Sequence, residues 1–234
     1  MIRRFFKEEG AKLKKMNFTD KRQYIWEYYK LHIFLLALGA IILGSLINTW
    51  FINPPKRDYL YIAWQAGIVM QDNLDILGQR LNVMVENQER YHVSVRSYYL
   101  TGEPQLDQAL ITRFHAMVHV GDLHATIMPW EDVLPSAAFG VIKPVDDLLT
   151  AAREINLDLY HLLWERVVML NYVPDGQEDF IEEAMAISLQ GAPLLEELGY
   201  ITDDLYIAMI VTSDNYYELA KALAVMFLKG DYHE

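Results

Sequence analysis

Residues 31–52 read LHIFLLALGAIILGSLINTWFI. None of these 22 residues is Lys, Arg, Asp or Glu. At about 1.5 Å per helical residue, the stretch reaches across the ~30 Å hydrocarbon core of a bilayer. In lipid every backbone amide must find its partner within the segment, so the stretch is expected to form one helix. Gly39, Gly44 and Ser45 would weaken a helix in water but are ordinary in a membrane span. A buried helix of a soluble protein is the first alternative. It needs a large core on every side, because the run has no polar face. A cleaved signal peptide is the second. The apolar run is longer than that of a typical signal, and no small-x-small cleavage site precedes Pro54. The reading is therefore an uncleaved anchor.

Charge orients the anchor. Residues 1–30 hold nine basic side chains (Arg3, Arg4, Lys7, Lys12, Lys14, Lys15, Lys21, Arg22, Lys30) and four acidic ones (Glu8, Glu9, Asp20, Glu27), a net +5. The whole chain carries −12, so the residues after Lys30 carry −17. Basic residues beside a span stay in the cytoplasm, which places the N-terminus inside and the acidic remainder outside the cell membrane. An acidic outer domain repels phosphates, which argues against nucleic acid as a partner. The chain has no cysteine, so it has no disulfide, no thiolate metal site, no thiol nucleophile and no lipidation cysteine.

Three segments follow: residues 1–30, a basic arm and juxtamembrane helix; 31–52, the span; 53–234, an outer domain large enough for a real core. Phe5 and Phe6 lie among basic residues and suit contact with anionic headgroups. Thr19 or Asp20 is expected to cap a helix that runs directly into the span. Tyr24, Trp26, Tyr28 and Tyr29 form an inner aromatic belt, Trp50 and Phe51 an outer one. Asn53-Pro54-Pro55 ends the helix.

Beyond the prolines the periodicity changes. Residues 58–64 (DYLYIAW), 91–100 and 124–128 read as strands, and 73–86 and 103–120 as helices between them. Strands joined through helices predict an α/β domain on a parallel sheet with right-handed crossovers. Further on, 135–140 reads as a loop, 145–152 and 157–170 as helices, and 171–177 as a turn. Residues 183–189 read as a strand, 193–198 as one helical turn, and 205–211 (LYIAMIV) as a strand buried on both faces. Ser213, Asp214 or Asn215 is expected to cap a last helix reaching about residue 228.

The order of GDLHATIMPW, GVIKPVDDLL, AISLQGAPLLEELG and LYIAMIVTSDN resembles the extracellular solute-binding proteins of bacterial ABC importers. In that family a strand is followed by a helix with a G-x-L-x-P-L-D-D-L pattern. The matching positions here are Gly140, Ile142, Pro144, Val145, Asp146, Asp147 and Leu148. The N-terminal MNFTDKRQYIWEYYKLH with its span is similar to membrane-anchored proteins of Gram-positive Firmicutes. The resemblance implies one lobe of a type 2 periplasmic-binding-protein fold. Two complete lobes need ~300 residues, and 53–234 is too short for them. It also implies a small solute and an ABC transporter permease, or another membrane protein, as partners beside the lipid bilayer.

Candidate chemistry is sparse. His115 and His119 are four apart on a predicted helix, with Asp122 and His124 after it, a spacing that suits metal ligands. No Glu adjoins His115 as in H-E-x-x-H, and capping or surface histidines fit the same spacing. Asp146-Asp147, Glu182-Glu183 and Asp203-Asp204 are adjacent pairs whose side chains diverge, so they suit caps and solvated positions better than a carboxylate dyad. No P-loop, G-x-S-x-G or G-x-G-x-x-G occurs. Neither a catalytic residue nor a cofactor is expected. In parallel α/β sheets ligands gather at the carboxyl ends of strands. Trp64, Gln65, Tyr98, Tyr99, Trp130, Glu131, Ser213 and Asn215 are expected there, as a ligand or partner surface, although core packing accounts for any one of the aromatics. Three functions remain open: a membrane-anchored binding or accessory protein, a scaffolding subunit without a small ligand, and a metal-dependent enzyme on the histidines.

Overall fold

The helix that carries the apolar run begins well before it. A computed structural model of the chain describes residues 16–52 and 54–228. Phe5 and Phe6 of the basic arm, and Asn53, lie outside the described residues. Residues through Pro55 form one unit and residues from Lys56 another. In the first, helix α1 (Phe18–Ile47) continues as a wider π-helical stretch over Asn48–Ile52. The cap is neither Thr19 nor Asp20 but Asn17, whose Oδ1 accepts from the amide of Asp20 at 2.8 Å. Trp26–Ile52 is long and apolar enough to cross a membrane, and none of its most apolar window is buried. Tyr24 and Tyr28, one turn apart, stack with ring centroids 4.7 Å apart.

The second unit is an α/β sandwich. Its elements are β1 (Arg57–Trp64), α2 (Gln71–Leu81), β2 (Tyr91–Ser97), α3 (Pro104–Val120), β3 (Ala125–Met128) and α4 (Trp130–Ala138). Then come β4 (Ile142–Lys143), α5 (Asp146–Ile155), α6 (Leu157–Trp164), β5 (Val167–Tyr172), β6 (Ile181–Ser188), α7 (Pro193–Glu197), β7 (Tyr206–Ile210) and α8 (Tyr216–Phe227). The strands lie in the order β2-β1-β3-β7-β6-β5, with the two-residue β4 also on β7. Strands β2, β1 and β3 are parallel, as the strand–helix alternation predicts. The other pairings are antiparallel, so the sheet is mixed rather than parallel.

Alternation along the strands splits the core into two clusters. Leu60, Ile62 and Trp64 of β1 face one side with Val93, Val95, Ile207 and Met209, under α2, α5, α6, α7 and α8. Tyr61 and Ala63 face the other with Met128, Ala208 and Ile210, under α3 and α4. Helices α2 and α3 thus cover opposite faces, as crossovers of one hand running in opposite directions require.

Two elements differ from the sequence reading. Residues 135–140 are not a loop: α4 runs through Pro135 to Ala138. Proline lacks one amide donor, but the helix is short, and Val133 and Ala137 sit buried on its inner face. The helix expected over 157–170 stops at Trp164, and Val167–Tyr172 is strand β5. The Val167-Val168 pair favours extended backbone, and pairing with β6 supplies the tertiary partner that a periodicity reading lacks.

Helix α2 also seals the edge of the sheet. The outward amide of Val93 donates to Asn82 Oδ1 at 2.7 Å. Gln71 donates its Nε2 to the carbonyl of Val95 at 2.9 Å and accepts from the amide of Ser97 at 3.2 Å. Two side-chain amides therefore stand in for a neighbouring strand. Gly78 makes this approach feasible, since a Cβ there would lie 2.8 Å from the carbonyl oxygen of Val93.

Candidate functional site

Strands β1, β2, β3 and β6 all end at one rim of the sheet, and β5 and β7 begin there. The chain order reverses between β1, from which α2 leads to β2, and β3, reached over α3 on the other side. In α/β sheets such a switch point is where the connecting loops part and leave a crevice. Here side chains fill it. Trp64 is 2% exposed, its indole N–H donates to the carbonyl of Ala66 at 2.8 Å, and its ring packs 4.9 Å from that of Tyr200. Gln65 accepts at Oε1 from the hydroxyl of the fully buried Thr126 at 3.0 Å. Tyr98 is buried, its hydroxyl 3.1 Å from that of Tyr61 and its ring edge-on to Phe114. Burial, then the bond to Tyr98, pushes the Tyr61 phenol far above its ordinary range.

Of the residues expected on the rim, Trp64 and Tyr98 are core and Gln65 is a brace. Tyr99 is half-buried at the end of β2. Trp130 and Glu131 are exposed. Ser213 and Asn215 are not on this rim. Strand β7 runs antiparallel to β3, so they follow its far end and lie at the opposite edge of the sheet. There Asn215 stands at the N-cap position of α8, but its Nδ2 donates to the carbonyl of Tyr59 at 3.3 Å and its side chain makes no capping bond. Ser213, 2% exposed, gives its carbonyl to the Lys143 ammonium, which also donates to the Tyr216 hydroxyl at 2.8 Å.

A pocket opens on the rim at Tyr206, against which Trp130 packs. A cavity of about 490 Å³ is lined by Glu165, Arg166, Val167, Ser188, Gln190 and Tyr206. The Trp130 ring packs 5.4 Å from that of Tyr206, and its amide donates to Asp204 Oδ1 at 3.3 Å. The Arg166 guanidinium lies over the Phe227 ring at 4.9 Å, and its Nε is buried without a hydrogen-bond partner. On α4, burial and then the neighbouring Glu131 raise the Asp132 carboxyl above the usual carboxylate range. The site thus joins one cation, a carboxylate, an aromatic ring, a hydroxyl and an amide at the strand ends, a donor and acceptor set suited to a small polar ligand. The sequence reading reached Trp130 and Glu131 but missed Arg166, Ser188, Gln190 and Tyr206. Arg166 fell inside a predicted helix, and nothing local places β5 and β6 beside β7.

The four metal-ligand candidates do not assemble. Among the described residues no group of three His, Asp or Glu side chains is placed to hold a metal ion. His124 turns inward, where its Nδ1 accepts from the amide of Tyr61 at 2.8 Å. Burial lowers its pKa, keeping the ring in the neutral form that this bond needs. His115 stands edge-on to Phe114, and His119 is exposed near the end of α3, followed by the exposed Asp122.

A different trio does meet on β1 and β2. The Ser94 hydroxyl donates to Asp58, its Oγ lies 3.0 Å from His92 Nε2, and that nitrogen lies 3.4 Å from Asp58. In a hydrolytic relay the carboxylate holds the ring nitrogen remote from the serine. Here it contacts the serine itself and the near nitrogen, while His92 Nδ1 is buried and unpartnered. The serine proton is thus directed to the carboxylate, away from the imidazole.

No family model matches this sequence, and no curated protein is recognisably similar to it.

Proposed function

We propose that the chain is a membrane-anchored, extracytoplasmic binding or accessory protein whose α/β body corresponds to one lobe of the bacterial solute-binding fold. The observation that carries this reading is the polar-lipped cavity at the strand ends of a body that follows a membrane-length helix, uncharged over residues 31–52. The +5 arm and the −17 remainder support an N-terminus in the cytoplasm and the body outside. Arg166, Ser188 and Gln190 supply the polar contacts, and Tyr206 with Val167 the apolar wall. A permease of the ABC type fits as the membrane partner.

The test is thermal unfolding of the full chain in detergent against amino acids, short peptides, sugars and divalent metals. A ligand at 100 times its Kd adds about 2.7 kcal/mol, a rise of about 5–10 °C for a domain of this size. Gln190→Ala, at an exposed position, should keep the ligand-free midpoint and lose most of that rise. No shift with any class, or an undiminished shift in the variant, defeats the binding reading. A second reading, a docking subunit without a small ligand, is favoured by Ile68 and Ile201, 84% and 83% exposed in loops at the same rim.

A further inference from the structure

The two edges of the sheet are treated differently. Strand β2 ends one side, and its outward backbone groups are taken up by Gln71 and Asn82. Strand β5 ends the other. The amide of Ser188 donates to the carbonyl of Arg166 at 2.9 Å, so Arg166 faces β6. The pairing is irregular between Val168 and Met169, but the extra residue there, Met185, is on β6, so direction alternates unbroken along β5: Val168 and Leu170 also face β6 while Val167, Met169 and Asn171 face outward. Among the described residues nothing in the chain bonds those outward amides and carbonyls.

We infer that this edge is a homodimer interface, in which β5 pairs antiparallel with β5 of a second copy about a twofold axis at Met169. The inference rests on the fold alone and not on the binding reading. Val167–Tyr172 reads VVMLNY, with no charge and no proline, the usual devices that blunt an edge. The residues after Lys30 carry −17, so two copies approach best along an edge free of charge. A twofold at Val168 or Leu170 would leave Asn171 opposite Glu165 or Val167 opposite Val173, both outside the strand, whereas a twofold at Met169 keeps all three outward residues within it. With Met169 opposite Met169, Val167 meets Asn171 on both sides, and every outward group of the three residues finds a partner. Met169, 52% exposed, is then covered. Such an interface is self-complementary, as a twofold demands.

The absence of native cysteine makes the test clean. Residues paired across such a ladder have Cα atoms ~5.5 Å apart, within disulfide reach. The full chain carrying Met169→Cys, in membranes under mild oxidation, should yield a disulfide-linked species of twice the mass. Val167→Cys alone should stay monomeric, because its own copy lies four residues away along the strand. The double variant Val167→Cys/Asn171→Cys should cross-link, and Gln105→Cys, exposed on α3, should not. A monomeric Met169→Cys that still unfolds cooperatively overturns the inference. So does cross-linking of Val167→Cys or Gln105→Cys as efficient as that of Met169→Cys, or a Met169→Cys adduct formed only with a different protein.

Discussion

Replacing Gly78 by alanine tests how α2 seals β2. In an unconstrained helix the change is favourable by about 1 kcal/mol, because alanine loses less backbone freedom than glycine. Here the new Cβ meets the Val93 carbonyl oxygen at 2.8 Å, whereas ordinary contact begins at 3.4 Å. The obstacle is backbone in a strand bonded to β1, so the helix must retreat by about 0.6 Å, the difference between those distances. That retreat lengthens the Asn82–Val93 and Gln71–Val95 bonds, now 2.7 and 2.9 Å. It also loosens Leu74, Leu77 and Leu81 from the core. Overpacking costs about 1–3 kcal/mol and weakened hydrogen bonds about 1 more, against the ~1 kcal/mol gained. The expected net loss is about 1–3 kcal/mol, or roughly 2–12 °C in midpoint for a body of this size. Urea unfolding of the full chain in detergent, followed by tryptophan fluorescence, measures it. Asn82→Ala should cost a similar ~1–3 kcal/mol by leaving the Val93 amide unpaired. The double variant should lose less than the sum, since both act on one contact. A higher midpoint in Gly78→Ala would refute the close approach, and additive losses would refute the coupling.

Two further expectations concern the body and the span. Burial, and then the hydrogen bond to Glu183, hold the Tyr172 phenol up at about 12. Its contribution to stability is complete below pH ~10, where folded and unfolded chains are both protonated, and is lost as the pH climbs from there to about 12. Tyr172→Phe should flatten that alkaline slope in denaturation curves, and an unchanged slope would assign it to other groups, Tyr61 foremost. In the span, Ala40→Arg places a charge near the centre of the apolar run, at a cost of ~3 kcal/mol of insertion. The alkali-resistant membrane fraction should fall sharply, and full retention in the pellet would contradict a spanning helix.

Local patterns were legible wherever the chain solves its own problem. The apolar run, the strand at residues 58–64 and the buried LYIAMIV stretch each carry a pattern that their solvent dictates, and all three stand in the structure. The first three strands were legible as parallel because helices separate them, and a crossover connection leaves little choice. The rim residues were half legible. Trp130 and Glu131 follow β3 directly and fall at its carboxyl end whatever the rest of the sheet does. Ser213 and Asn215 were misplaced because the direction of β7 depends on its neighbour and not on its own residues.

Composition and periodicity alone determined that the chain has one membrane-length helix, an asymmetric charge across it and an α/β body. Those features arise from burying side chains in lipid or in a core, a choice each segment makes by itself. Only the tertiary structure decided that the second half of the sheet is antiparallel, that Arg166, Ser188, Gln190 and Tyr206 share a cavity, and that one edge is sealed while the other is open. Strand order and direction are settled by which backbone groups find one another across long stretches of chain, and no local residue pattern encodes that encounter.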